Sequence, residues 1–147
     1  MSTAKTSPRL GALLRIATLT MTEQLATWLA SSEFADLQPV HSAAIQPLWE
    51  HPEGARITSL AKASRITKQA MSMLVDHLEQ RGYVERIPDI HDKRATIVRL
   101  TARGKSLAAA VRTCSKRVEE DWAGHIGADR VKELISILSS LRESLNR

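Results

Sequence analysis

The chain has little of the hardware that small proteins use for cross-linking or catalysis. Only one of its 147 residues is cysteine, Cys114, so it can form neither an intrachain disulfide nor a cysteine-based metal site. A single thiol fits a reducing compartment, and the expected location is the cytoplasm. Aromatic residues are scarce (three Trp, one Tyr, one Phe), so the core must be built from Leu, Ile, Val, Ala and Met. No apolar run reaches the roughly 18 residues that suggest a membrane helix. Met1 to Arg9 contains no apolar stretch ending at a small-residue cleavage site, which argues against a secretory signal. Glycine-rich phosphate loops, a nucleophile elbow and a metal-binding helix motif are all missing. His41, His51, His77, His91 and His125 include no pair spaced i,i+4 on one helix. These absences argue against an enzyme and lead us to expect no cofactor and no metal.

What remains is an ordinary globular composition with an uneven charge distribution. Apolar residues make up 43% and charged residues 25%, enough for one domain to bury a core unaided. The net charge is +5. Residues 1–61 carry four Lys/Arg against five Asp/Glu, residues 62–105 ten against five, and residues 106–147 seven against six. The basic excess is therefore concentrated in one central block, as a polyanion-binding surface requires. A solvated basic face would give the same totals.

Periodicity gives the layout. Residues 1–9 read as a disordered tail. Leu10, Leu13, Leu14, Ala17, Met21, Leu25, Trp28 and Leu29 fall at three- and four-residue steps and predict a long helix. Pro39 fits the first turn of a second helix, and Pro47 predicts that it kinks or ends early. Ile57 reads as a short strand. Thr58 would then cap a helix from Ser59 to about Ala63, with Leu60 and Ala61 facing inward. Thr67 caps the next helix, from Lys68 to about Arg81, whose apolar stripe is Ala70, Met71, Leu74, Val75 and Leu78. Gly82 is a left-handed stop. A hairpin follows, with a charged tip at Pro88 to Arg94 and a returning strand from Ala95 to Leu100. Thr101 caps a helix to about Ala123, broken by Gly124 and Gly127. A last helix runs from about Asp129 to Leu145.

A short helix, a tight turn, a longer helix and a hairpin make a winged helix-turn-helix. In this arrangement the second helix can enter the major groove of double-stranded DNA. Gln69 suits adenine, Lys68 guanine or phosphate, Ser72 a base edge or phosphate, and Met73 a thymine methyl. At the hairpin tip Arg94 suits the minor groove, with Asp92 expected to hold its guanidinium in place.

Ile66 to Arg86 resembles the recognition helix and wing entry of MarR-type regulators. Pro88 to Arg94 and Leu100-Thr101-Ala102-Arg103-Gly104 resemble that family's wing signature. The likeness in residue pattern covers about residues 57–104. It implies a mainly α fold with a small β-hairpin wing, flanked by N- and C-terminal dimerisation helices. The implied division is a dimerisation region at 10–38 and 102–147 around a DNA-binding region at 39–101. It also implies a homodimer, and a dimer on a pseudo-palindromic operator would repress simply by occupying the site. The residues expected at DNA are Thr67, Lys68, Gln69, Ser72, Met73 and His77 on the helix, and Asp92, Lys93 and Arg94 at the tip. Ile90 and His91 stand where the family often has Pro and Arg, so one wing cation is lost at neutral pH, and His91 protonation would add a phosphate contact.

Such regulators commonly answer to a small aromatic or anionic effector. Arg15, His41, Ile45, Trp49 and Val111 are the candidates to line its site. Peroxide-sensing relatives carry a cysteine near the start of the first helix. Here Cys114 falls on an apolar stripe and reads as packing. The rival function class is a winged-helix adaptor that binds protein and not DNA.

Overall fold

The computed structural model describes residues 9–146. Residues 1–8 of the expected tail, and Arg147, lie outside the described residues. The chain forms helix α1 (Leu10–Ala30), a 3-10 turn (Pro39–His41), α2 (Ser42–Glu50), α3 (Ile57–Ala63) and α4 (Lys68–Gln80). Strands β1 (Val84–Pro88) and β2 (Thr96–Leu100) follow, then α5 (Ala102–Ile126) and α6 (Ala128–Leu145). The mainly helical winged helix-turn-helix is as expected from the sequence.

The described chain divides into two compact units, one spanning Leu25–Arg112 and the other combining residues 9–24 with 113–146. The first is broader than the expected 39–101 segment, because Leu29, Phe34, Leu37, Leu107 and Ala108 join its core. That core is centred on Leu48, Leu60, Met71, Val75, Leu78, Tyr83 and Val98, all at most 1% exposed. α4 presents Met71, Val75 and Leu78 to it, at steps of four and three. β1 and β2 pair antiparallel, with Val84 opposite Leu100 and Arg86 opposite Val98.

Three local expectations are corrected. Ile57 opens α3 and is not a strand residue. The N-cap is Arg56, in extended geometry and without a side-chain cap, so Thr58 lies inside the helix. The extended residue nearby is Ala55, which exchanges both backbone hydrogen bonds with Val98 at 2.9 Å. Of the two outcomes expected at Pro47, the early end does not occur, since α2 continues to Glu50. Proline cannot donate to the Ala43 carbonyl four residues back, and the Ser64 hydroxyl donates to that oxygen instead, at 2.5 Å. Gly124 stays within α5. The break comes at Gly127, whose φ of 96° takes the chain out of the helix.

Thr67 caps α4 as expected, its hydroxyl accepting from the Ala70 N–H at 3.1 Å. Gly82, at φ 75°, turns the chain into β1. Thr101 Oγ1 accepts from the Gly104 N–H at 3.1 Å and donates to the Gly82 carbonyl at 2.6 Å, joining the start of α5 to the base of the wing.

In the second unit Cys114, Val118 and Val131 are buried. Leu10, Leu13 and Ile16 on α1 are exposed, as are Ile135, Leu138 and Leu141 on α6.

Candidate nucleic-acid interface

α4 divides its residues between two environments. With Met71, Val75 and Leu78 committed to the core, Lys68 and Gln69 are left exposed, Met73 is 66% exposed and Ser72 is half-buried. The Thr67 cap fixes where this helix begins, and the N–H groups of its first turn are a favourable place for an anion. His77 is placed differently from the expectation that grouped it with these residues. Its ring stacks on His41, with centroids 4.3 Å apart and planes at 22°, and its Nε2 is buried without a hydrogen-bond partner. His77 therefore faces the interior of its unit.

Ion pairing thins the basic block. Arg86 reaches Asp76 at 2.5 Å and also contacts Glu79, while Arg99 pairs with Glu85 at 2.6 Å. Burial works against the Arg86 charge, but the two carboxylates outweigh it and raise its pKa. Arg81 and Arg103 both lie near Asp36, at 3.7 and 3.6 Å, and Arg103 stacks over the Tyr83 ring at 4.3 Å. Tyr83 donates to Asp36 at 2.8 Å, and burial raises its phenol pKa. These arginines brace the unit. Lys68, Lys93 and Arg94 remain exposed at the helix start and the wing tip.

The wing tip also corrects the expected Asp92–Arg94 side-chain pair. Asp92 Oδ1 accepts from the Arg94 backbone N–H at 3.1 Å, while Asp92 Oδ2 lies 3.9 Å from an arginine that sequence reasoning did not select, Arg56. Arg56 donates through Nε and Nη2 to Asp89 Oδ2, at 3.0 and 2.6 Å. The other Asp89 oxygen accepts from the His91 N–H at 2.9 Å. The His91 hydrogen bond first, and Arg56 second, hold the Asp89 carboxyl below its ordinary pKa. Arg56 and Asp89 are 33 residues apart, so no local spacing rule pairs them.

The expected effector residues are only partly assembled. His41, Ile45 and Val111 line a small, half-open cleft together with Leu25, Leu29, Leu37, Gln38, Pro39, Ser42 and Leu107. Trp49 is not among them. It is partly exposed, with the Arg112 guanidinium 5.2 Å from its ring centroid. Arg15 is exposed on α1, in the other compact unit. His41 Nδ1 lies 2.9 Å from the Gln38 N–H, from which it accepts when unprotonated, and 3.0 Å from the Gln38 carbonyl, to which it donates when protonated. Burial is the main cause of the lowered His41 pKa. Cys114 is buried, and burial raises its thiol pKa, so little thiolate is present to react. Among the described residues there is no cluster of His, Cys, Asp and Glu suited to a metal, and no helix long and apolar enough to cross a membrane.

Comparison with known proteins agrees with this geometry. Residues 35–95 match the model of the MarR family. The transcriptional regulator HosA of Escherichia coli O157:H7 is 28% identical over 109 residues, covering 74% of this chain and 80% of HosA. The transcriptional repressor CouR, solved bound to a 23-mer DNA duplex, superposes with a TM-score of 0.78 at 25% identity, over 97% of this chain and 98% of CouR. The PcaV regulator of Streptomyces coelicolor, solved with its natural ligand, superposes with a TM-score of 0.73 at 17% identity, over 99% of both chains.

Proposed function

We propose, from the premise that this chain belongs to the MarR family of transcriptional regulators, that it is a cytoplasmic, effector-responsive repressor that binds a pseudo-palindromic operator as a homodimer. The observation that carries this reading is how one compact unit spends its side chains. α4 buries Met71, Val75 and Leu78 and leaves Lys68, Gln69 and Met73 outward, while the wing ends in exposed Lys93 and Arg94 and most neighbouring arginines are held by carboxylates. Lys68 thus stands where a helix start meets a major groove, and Lys93 and Arg94 where a wing tip meets a minor groove.

In this reading Thr67, Lys68, Gln69, Ser72 and Met73 read bases or contact phosphate, and Lys93 and Arg94 fasten the wing. Asp92 acts by shaping the tip backbone. His77 acts only from inside, through its stack on His41. The exposed apolar faces of α1 and α6 form the dimer interface. The His41 cleft is the effector site, taking a small, largely apolar molecule with one polar group that meets the His41 ring or the Ser42 hydroxyl.

The test is selection of genomic fragments by the purified protein, followed by affinity measurements at rising salt. Several phosphate contacts predict a loss of roughly 10³-fold or more between about 50 and 200 mM salt. Arg94→Ala should weaken binding to all sequences, and Gln69→Ala should change which sequence is preferred. Failure to retain any fragment at low salt would replace this reading with the adaptor.

A further inference from the structure

We propose that Arg56, outside the wing, is the positioning residue that locks the wing tip in its DNA-binding geometry by bridging the two aspartates that cap the tip. The inference rests on the DNA-binding reading above.

The tip is built around two carboxylates. Asp89 Oδ1 accepts from the His91 N–H and Asp92 Oδ1 from the Arg94 N–H, each two residues on, at 2.9 and 3.1 Å. Backbone bonds from Asp89 N to the Ala95 carbonyl and from Ala95 N to the Asp92 carbonyl close the loop. Each aspartate keeps a second oxygen, and both of these face Arg56. Asp89 Oδ2 takes two donors from the guanidinium, and Asp92 Oδ2 lies 3.9 Å from Nη2. The Asp89 side chain is only 7% exposed, against 46% for Arg56. A carboxylate so far withdrawn from water depends on the partners it has.

Arg56 is itself well anchored. Ala55 forms a one-residue bridge to Val98 in the middle of β2, and Arg56 is the N-cap from which α3 starts. The guanidinium therefore joins the helix-turn-helix to the far end of a two-stranded hairpin. Such a ribbon has little stability of its own, and fixing its tip lowers the ordering cost of binding DNA. Arg94 gains most, because its backbone N–H is held by Asp92 while its side chain stays exposed.

Asp89→Asn separates this lock from simple charge effects. Removing a negative charge beside DNA should tighten binding if Asp89 acts only through its field. The lock requires the opposite, weakening by about tenfold, the scale of one lost charge-assisted hydrogen bond. Arg56→Met should weaken binding to a similar extent. Combined with Arg94→Ala, it should add less than about twofold to the weaker single variant, because the two residues act through one contact. Arg56→Lys keeps the charge but loses the fork, and should resemble Arg56→Met.

Affinities would be read by fluorescence anisotropy on the fragment selected by the wild type, with circular dichroism and thermal melts confirming that each variant is folded. If Asp89→Asn does not fold, the Arg56 variants carry the test. Tighter binding by Asp89→Asn, full activity of Arg56→Lys, or multiplicative losses for Arg56→Met with Arg94→Ala would each overturn the lock. A wild type that binds no DNA would instead defeat the reading on which it rests.

Discussion

Single side chains explain two things that composition leaves open. Pro47 sits inside α2 without ending it because Ser64, from the turn between α3 and α4, supplies the donor that proline lacks. Ser64→Ala would leave the Ala43 carbonyl without that partner and should destabilise the protein by about 1–2 kcal/mol in a urea titration. The denaturant slope should be unchanged, since no extra surface is exposed on unfolding. His41 is a different case. Burial lowers its pKa in the folded state, so folding favours the neutral ring. The groups around it oppose one another: the Gln38 backbone and Asp36 raise the pKa, and His77 and Arg81 lower it further. A depressed folded pKa gives a contribution that is fully present above the ordinary value of 6.5 and is lost as pH falls toward the folded value. The thermal midpoint should therefore fall as pH is lowered below that value. In His41→Asn, which keeps an acceptor for the Gln38 N–H, the fall should be shallower. An unchanged slope would assign it to other groups.

At the scale of elements, the start of α5 is tied to the wing by close backbone approach. A Cβ on Gly104 would stand 2.0 Å from the Tyr83 carbonyl oxygen, and backbone cannot yield as a flexible side chain does. Gly104→Ala should cost about 1–3 kcal/mol by chemical denaturation and should weaken DNA binding by displacing β1. The glycine of the Leu100–Gly104 stretch was legible as part of a family-like pattern, but this reason for it was not. α4 was readable because its stripe repeats at helical spacing and Thr67 and Gly82 mark its ends. The hairpin was readable from its change of period. α3 was misread at its start because Arg56 is an N-cap without a capping side chain, so sequence gives it no signal, and the β-branched Ile57 imitates a strand. His77 could have been found. It lies seven residues after Ala70 and three after Leu74, at the margin of the apolar stripe, where an inward ring is the ordinary outcome. The Arg56–Asp89 pair could not, because the register that joins Ala55 to Val98 is a tertiary fact.

At the scale of the whole molecule, the two compact units handle apolar surface in opposite ways. The unit around the wing buries its large hydrophobics in one cluster, with few exceptions such as Met73 and Ile90. The other unit leaves Leu10, Leu13 and Ile16 at 69%, 48% and 59% exposure, and Ile135, Leu138 and Leu141 at 44%, 40% and 44%. Patches of this kind are rare on monomers that remain monomers. The proposed homodimer would cover these residues with a second copy, and a two-fold dimer would present two wings and two α4 helices to half-sites about one helical turn apart. Sedimentation equilibrium should therefore give twice the chain mass at micromolar concentration. Leu13→Glu with Leu138→Glu should shift it to the monomer, since each charge would have to be buried unpaired. The monomer should keep the helical signal of the winged unit, whose core these residues do not enter. It should lose operator affinity by far more than it loses binding to random DNA, because the second half-site contributes only when both units are held together. Equal losses on both kinds of DNA would mean that the apolar faces support the fold and not the pairing of two readers.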